Sequence, residues 1–195
     1  MIEKSAQNQN FDKILEIGSG QGHHLQFVKR NFHSYEMIDI ESNEAKSRVP
    51  IELLSKVNFT LGDARDLPFS DDVFDRALCT CVLLHINDVE KVFKELRRTS
   101  KNNALLTLYI PCDPGLGYRF IRHFTSHVKQ CKELKIEMKD TKYLWALEHP
   151  NHYPGVIAKI KYVFKEDQIK IKRFPFPFFS WNANLFSIVK VIVKK

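Results

Sequence analysis

Apolar residues in the first 110 positions fall into short runs separated by stretches of helical period. Lys13 to Ile17, Tyr35 to Ile40, Val57 to Leu61, Phe74 to Thr80 and Ala104 to Tyr109 have the length of strands. His23 to Asn31, Glu44 to Leu54 and Asp88 to Ser100 read as helices between them. In the last of these, Val89, Val92, Phe93 and Leu96 stand at i, i+3, i+4 and i+7 and make one apolar face. Alternation of this kind predicts successive β-α-β units and a mostly parallel sheet.

After Pro111 the pattern changes. CDPGLGY is a turn-rich break, and residues 118 to 147 read as one or two basic amphipathic helices beyond what a minimal α/β fold needs, so they are expected to be an insertion. A further helix is predicted from Tyr153 to Phe164, followed by two apolar runs, Gln168 to Phe174 and Leu185 to Val193. The connection between them, FPFPFFSWNAN, is too short for a helical crossover, so they should pair antiparallel.

With 195 residues, 44% of them hydrophobic, the chain can bury one sizeable core, and a single domain is expected. No stretch approaches the roughly 18 uninterrupted apolar residues of a membrane span. The N-terminal MIEKSAQNQNF lacks the apolar centre of a signal peptide, so a cytoplasmic protein is expected. Cys79, Cys81, Cys112 and Cys131 form no C-x-x-C pair and are expected to be reduced thiols. The formal charge of +7 is unevenly spread: Arg119, Arg122, Lys129, Lys132, Lys135, Lys139 and Lys142 crowd residues 115 to 142, and the segment from Lys159 on is lysine-rich. A solvated helix face accounts for such a run, and so does an anionic substrate, lipid surface or nucleic acid.

The densest chemical signal is KILEIGSGQG, where a strand runs into Glu16-x-Gly18-x-Gly20-x-Gly22. Glycine allows positive φ in a tight bend and lets a ligand approach the backbone. Asp39 closes the second strand at the same sheet edge, where a carboxylate can accept both hydroxyls of a ribose. His23 stands where a dinucleotide fingerprint of the G-x-G-x-x-G kind would have its third glycine, so the chain departs from the NAD pattern.

Taken in order, E-x-G-x-G-x-G, IDIE, GDARDLPF, FDRALCTCVLLHI and a strand ending in IP resemble the motifs of class I S-adenosylmethionine-dependent methyltransferases over about residues 13 to 111. The resemblance implies an α/β fold: a three-layer, Rossmann-like, seven-stranded, mostly parallel sheet with a C-terminal antiparallel β-hairpin, here with a helical insertion after the fifth strand. The expected organisation is a single methyltransferase domain over 1-195. Its parts are a cofactor-binding core at 1-112, an acceptor-side insertion at 113-152, and the last helix and hairpin at 153-195. The cofactor implied is S-adenosylmethionine, with S-adenosylhomocysteine as product. By position, Glu16 and the turn Gly18, Ser19, Gly20, Gly22 would hold its methionine part, Asp39 its ribose, and Ile40 would pack on the adenine. Asp63 would accept the adenine amino group beside the Ala64 N–H, and Cys79 and Thr80 would line the transfer site. Asp66 and Asp75 read as structural. No metal is expected.

A hydroxyl acceptor benefits from a general base that titrates near neutrality. His85, just past the fourth strand, is one candidate, or else a helix-start residue packed under the cofactor. His149 and His152 in EHPNHYPG are the others, as base or substrate contacts, or else as plain loop histidines; Pro150 between them argues against a helical metal pair. Cys81 lacks the preceding proline of cytosine-methylating enzymes. The loops that leave strands four, five and six should face the acceptor, and FPFPFFSW is there either a pocket wall or a hairpin core.

The expected activity is methyl transfer to a small or medium-sized acceptor, at oxygen rather than nitrogen. The tail, with IPCDPGLGYR, ALEHPNHYP and FPFFSWNANLF, weakly resembles methyltransferases encoded with surface-polysaccharide enzymes, which points to a sugar or lipid-linked sugar; an anionic, lipid-linked acceptor would also use the basic insertion. The alternatives are an RNA or protein methyltransferase, disfavoured because CTCV lacks the Asn/Asp-Pro-Pro-aromatic motif, and a cofactor-binding pseudoenzyme or partner subunit. The last arises because only about a dozen residues precede the first strand. Many relatives build a lid there, so the chain is read as lidless, served by its insertion, or a fragment.

Overall fold

The computed structural model describes residues 3–6, 10–28, 32–41 and 48–195. Its strands are β1 (Lys13–Ile17), β2 (Ser34–Asp39), β3 (Val57–Leu61), β4 (Phe74–Thr80), β5 (Ser100–Pro111), β6 (Gln168–Phe174) and β7 (Phe186–Ile192). They form one sheet in the order β3-β2-β1-β4-β5-β7-β6. The first five run parallel, and β7 is antiparallel to both β5 and β6. The chain reverses its direction of strand addition between β1 and β4, the crevice where open α/β sheets bind ligands.

Alternation along each strand separates two cores. Leu15 and Ile17 of β1, Ala77 and Cys79 of β4, and Leu106, Leu108 and Ile110 of β5 face one side. There they meet α1 (Val89–Thr99) through Val89, Val92, Phe93 and Leu96, and α5 (Tyr153–Val163) through Val156 and Ile160. A helix with apolar residues at this spacing stabilises the fold by burying one stripe and leaving Glu90, Lys91 and Lys94 to water. The opposite face carries Ile14, Tyr35, Met37 and Leu78. It also buries charge: Arg76 is 0% exposed, and its guanidinium bonds both carboxylate oxygens of Glu3 at 2.6 and 3.1 Å.

On that second face two expected helices are not formed within the described residues. After the glycine turn there is a single 3-10 turn, Leu25–Phe27, and Val28 is already extended at φ −76, ψ 100. Only Leu25 of that turn is buried, so no apolar stripe rewards a longer helix. The part of this helix at 29–31 lies outside the described residues. Of Glu44 to Leu54, the described residues include a 3-10 turn at Ile51–Leu53, and its N-cap Pro50, at ψ 139, lies outside the helical region and as a proline cannot continue a helix; 44–47 lie outside the described residues.

Beyond β5 come α2 (Leu116–Arg122), a π turn at His123–His127, α3 (Val128–Leu134) and α4 (Met138–Glu148). Lys135, at φ +54, ends α3. A reciprocal pair then opens α4, the Glu137 side chain accepting from the Asp140 backbone and the Asp140 side chain from that of Glu137. Among the described residues no helix is long and apolar enough to cross a membrane.

Candidate functional site

The carboxyl ends of β1, β2 and β4 open on a cleft of about 230 Å³ lined by Gly18, Asp39, Ile40, Asp63, Val82 and His85, among others. Gly18, Gly20 and Gly22 all have positive φ, at +67, +47 and +72. The turn is pinned to β2 by the Gly18 N–H, which donates to the Ile38 carbonyl at 2.9 Å, and to itself by the Gly22 N–H, which donates to the Ser19 carbonyl at 2.7 Å. Gly18 is constrained for a second reason. A Cβ there would lie 2.7 Å from the side chain of Val82, which forms the facing wall of the cleft.

Asp39 anchors the other side. Its Oδ2 accepts the Gly20 N–H at 2.7 Å and its Oδ1 the Glu41 N–H at 3.2 Å. Each oxygen keeps a further lone pair for a hydroxyl. Ile40 beside it is 72% exposed, an apolar side chain at the rim of the cleft. Asp63 is tied to Arg65 by bonds from Nε at 3.0 and 2.9 Å and from the Arg65 N–H at 2.8 Å. Arg65 thereby holds the Asp63 carboxyl below its usual range. Ala64 is buried next to it.

The remaining residues singled out in the sequence are placed differently. Glu16 is buried on the second face, where it accepts the Tyr35 hydroxyl at 2.8 Å, and burial raises its pKa. Cys79 lies in the core, its backbone registered between Ile17 and Leu108, and burial pushes its thiol far up. Thr80 ends β4 opposite Tyr109. Asp75 accepts the Asp12 and Lys13 N–H groups at 2.7 and 3.1 Å and so fixes the start of β1.

The histidines divide. His85 lines the cleft, and its ring centroid lies 4.2 Å from that of His149. His149 stacks at 3.6 Å on Trp145, and its Nδ1 lies 3.0 Å from the Trp145 carbonyl. A carbonyl only accepts, so Nδ1 carries the proton and, in the neutral ring, Nε2 keeps the lone pair. Burial lowers the His149 pKa and favours that neutral form. His152 instead caps α5: its Nδ1 accepts the Gly155 N–H at 3.1 Å. Asn151 fastens this loop to the cleft by donating from Nδ2 to the carbonyls of Leu83 and Ile86 at 3.3 and 2.6 Å.

Residues 15–108 match the family model described as a methyltransferase domain. The chain belongs to the class I S-adenosylmethionine-dependent methyltransferases. It is 30% identical over 145 residues to the uncharacterized methyltransferase YcgJ of Bacillus subtilis (strain 168), covering 67% of this chain and 55% of that protein. It is 27% identical over 99 residues to a demethylmenaquinone methyltransferase of Thermotoga maritima, 51% of this chain and 43% of the relative. The chain thus spans about half the length of these curated relatives. The crystal structure of YcgJ superposes with a TM-score of 0.65 at 18% identity, over 98% of this chain and 96% of that one. The N-methyltransferase NodS of Bradyrhizobium japonicum, solved with S-adenosylhomocysteine, superposes at 0.65 with 12% identity, over 98% and 82%. At such identities the two structures speak for the fold alone.

The cofactor of this family is S-adenosylmethionine, and the cleft suits it. Gly18 leaves a space that a Cβ would fill, Asp39 offers unshared lone pairs, and the buried Ser19 Oγ has no hydrogen-bond partner among the described residues. A buried hydroxyl without a partner is costly, and a polar ligand would relieve it.

Proposed function

We propose that the chain transfers the methyl group of S-adenosylmethionine to an oxygen of a small or medium-sized acceptor, with a sugar or lipid-linked sugar as the acceptor class. The observation that carries this reading is the contact between His85, on the wall of the cofactor cleft, and His149, whose Nε2 is free to take a proton. The sulfonium supplies an electrophilic methyl group. The protein's part is to align the acceptor with it, exclude water and receive the hydroxyl proton. Asp39 would hold the ribose hydroxyls, the turn from Gly18 to Gly22 with Ser19 the methionine part, and Glu16 would brace that turn from beneath. Ile40 would cover the adenine, whose amino group would meet Asp63 and the Ala64 N–H, while Cys79 and Thr80 would line the floor through their backbone. His149 Nε2 would be the final proton acceptor through His85, which would take the hydroxyl proton on one ring nitrogen and release one from the other, and His152 would keep the loop in place.

In this reading 1-195 is a single methyltransferase domain, with 1-112 binding the cofactor, 113-152 inserted on the acceptor side and 153-195 closing the sheet with a β6–β7 hairpin. The exposed Phe176, Phe178 and Phe179 would add an aromatic wall. Incubation with methyl-labelled cofactor and fractionated cell extract tests the proposal. Label is expected in small-molecule or lipid fractions, and to depend on His149. Label on RNA or protein would overturn the acceptor class. Cofactor binding with no label in any fraction would instead favour a cofactor-binding partner subunit.

A further inference from the structure

A second cleft, of about 980 Å³, lies among α2, the π turn and α4. Its cations are Arg119, Arg122 and Lys142, against the single carboxylate of Asp113, and its apolar lining includes Phe120 and Phe124. Both phenylalanines are exposed and meet edge to face at 5.0 Å. Arg122 differs from the other basic residues of this region because it is only 7% exposed.

Arg122 is held as a probe rather than as half of an ion pair. Its guanidinium lies 3.1 Å from the Trp145 ring centre, while His149 stacks 3.6 Å from that ring. Two planar groups so close to one indole cannot share a face, so Trp145 lies between them. Stacking occupies the flat of the guanidinium and leaves its edge. There Nη2 donates to His127 Nε2 at 2.6 Å, and His127 Nδ1 lies 3.0 Å from Thr141 Oγ1, which itself donates to the Met138 carbonyl at 2.9 Å. This chain fixes His127 as the neutral Nδ1–H tautomer, so it orients Arg122 without neutralising it. Nη1 stands 3.9 Å from Asp113 Oδ2, an oxygen that already accepts the Trp145 indole N–H at 2.8 Å. Nε is buried without a partner among the described residues. Burial pushes the Arg122 pKa down to about 10, so the group is still a cation at neutral pH, short of the counter-charge that a buried cation requires.

We infer that this cleft seats an anionic group of the methyl acceptor, a carboxylate or a phosphate carried on an apolar chain, with the anion at the Arg122 guanidinium and the chain against Phe120 and Phe124. The inference rests on the proposed transferase function. It adds direction to it: Trp145 and His149 stand between the anion and His85, so the anionic group is recognised one indole and one imidazole away from the cofactor cleft. Nη1 and Nε make no hydrogen bond among the described residues, and a guanidinium with donors to spare can match an anion's oxygens. Phe120 and Phe124, at 65% and 63% exposure, are apolar surface in need of cover.

Trp145 reports on the cleft directly. With Trp181→Phe it becomes the sole indole, since the chain has two tryptophans. Its fluorescence is titrated with decyl phosphate, decanoate, inorganic phosphate and the neutral decyl maltoside, each amphiphile below its micellar concentration. Saturable binding of decyl phosphate, decanoate or both is expected, and which of them binds identifies a phosphate or a carboxylate acceptor. Inorganic phosphate should bind more weakly. Arg122→Met should weaken amphiphile binding at least tenfold, and Phe120→Ala should weaken the amphiphile but not inorganic phosphate. Equal binding of decyl maltoside, or no loss in Arg122→Met, would overturn the inference. Should Arg122→Met fail to fold, the exposed Arg119→Met and Lys142→Met must each lower affinity, and unchanged binding in both overturns it as well. Calorimetry with S-adenosylhomocysteine on the same samples keeps the two readings apart. Anion binding without cofactor binding would remove the transferase function, whereas cofactor binding without anion binding would remove only this site.

Discussion

Asp39 Oδ2 accepts the Gly20 N–H at 2.7 Å, so the acid that faces the cleft from β2 also holds the glycine turn that ends β1. One carboxylate therefore shapes the turn and offers its remaining lone pairs to the ligand. Asp39→Ala should weaken S-adenosylhomocysteine binding about ten- to a hundredfold, since hydrogen bonds to a charged group are worth about 1.5–3 kcal/mol. Asp39→Asn, which keeps an oxygen for Gly20, should lose less. Calorimetry checks both, and an unchanged affinity in Asp39→Ala would contradict the assignment.

Gly18 and Gly20 share positive φ but not surroundings. A Cβ on Gly18 would meet Val82 at 2.7 Å, whereas one on Gly20 would find nothing within 4 Å. Gly20→Ala should cost about 1 kcal/mol from backbone conformation alone. Gly18→Ala adds a clash with a branched Cβ that no rotamer moves away, and should cost about 2–3 kcal/mol, a fall of roughly 4–12 °C in Tm. Val82→Ala in the Gly18→Ala background should recover the steric part only. Equal melting points for the two single variants would show that Val82 does not constrain the turn.

Glu3 on the N-terminal 3-10 turn binds Arg76 of β4 and lies 3.0 Å from His24 Nε2, next to the glycine turn. Burial raises the Glu3 pKa, but the hydrogen bonds and charges of His24 and Arg76 outweigh it and leave the pKa below its usual 4.5. The folded-state pKa is thus depressed relative to the unfolded one. The stability it contributes is present above about pH 4.5 and is lost as pH falls through the folded value. Glu3→Gln should destabilise the protein by about 3 kcal/mol at pH 7, because it strands a fully buried guanidinium. The gap between variant and wild type should close in acid. Urea melts at pH 7 and pH 4 measure it, and a gap that does not narrow would remove Glu3 as the titrating partner.

The apolar pattern locates β1, β3 and β4 to the residue: β1 and β4 are buried on both faces, while β3, an edge strand with only Val57 buried, is marked off by the turns that bound it. β5 is longer than its apolar run. It begins at Ser100, and the polar SKNN that precedes Ala104 still pairs in part with β4, with an irregularity between Phe74 and Arg76. Pro50 was a legible helix breaker that the period of its neighbours concealed. At the site, the glycines and Asp39 were legible because their chemistry is local. The Arg122–Trp145–His149 column was not, since it joins residues 23 and 27 positions apart across two helices. In the sequence Arg122 is one more cation of a basic run; in the fold Trp145 and Asp113 enclose it.

His149 and His152 are three residues apart and should behave oppositely. The His152 imidazole accepts the Gly155 N–H, so His152→Ala should cost about 1 kcal/mol of stability, the value of a lost helix cap, and leave turnover intact. His149 presents Nε2 beside His85, so His149→Asn should lower kcat about a hundredfold or more if that nitrogen receives the acceptor proton, with cofactor affinity unchanged. The pH profile separates this from a merely structural loss. A base must be neutral to act, and burial holds the His149 pKa below the usual 6.5. The acid limb of kcat/KM should therefore have its midpoint below pH 6.5 and vanish in His149→Asn. A midpoint above 6.5, or an acid limb that survives the substitution, would move the base to another group.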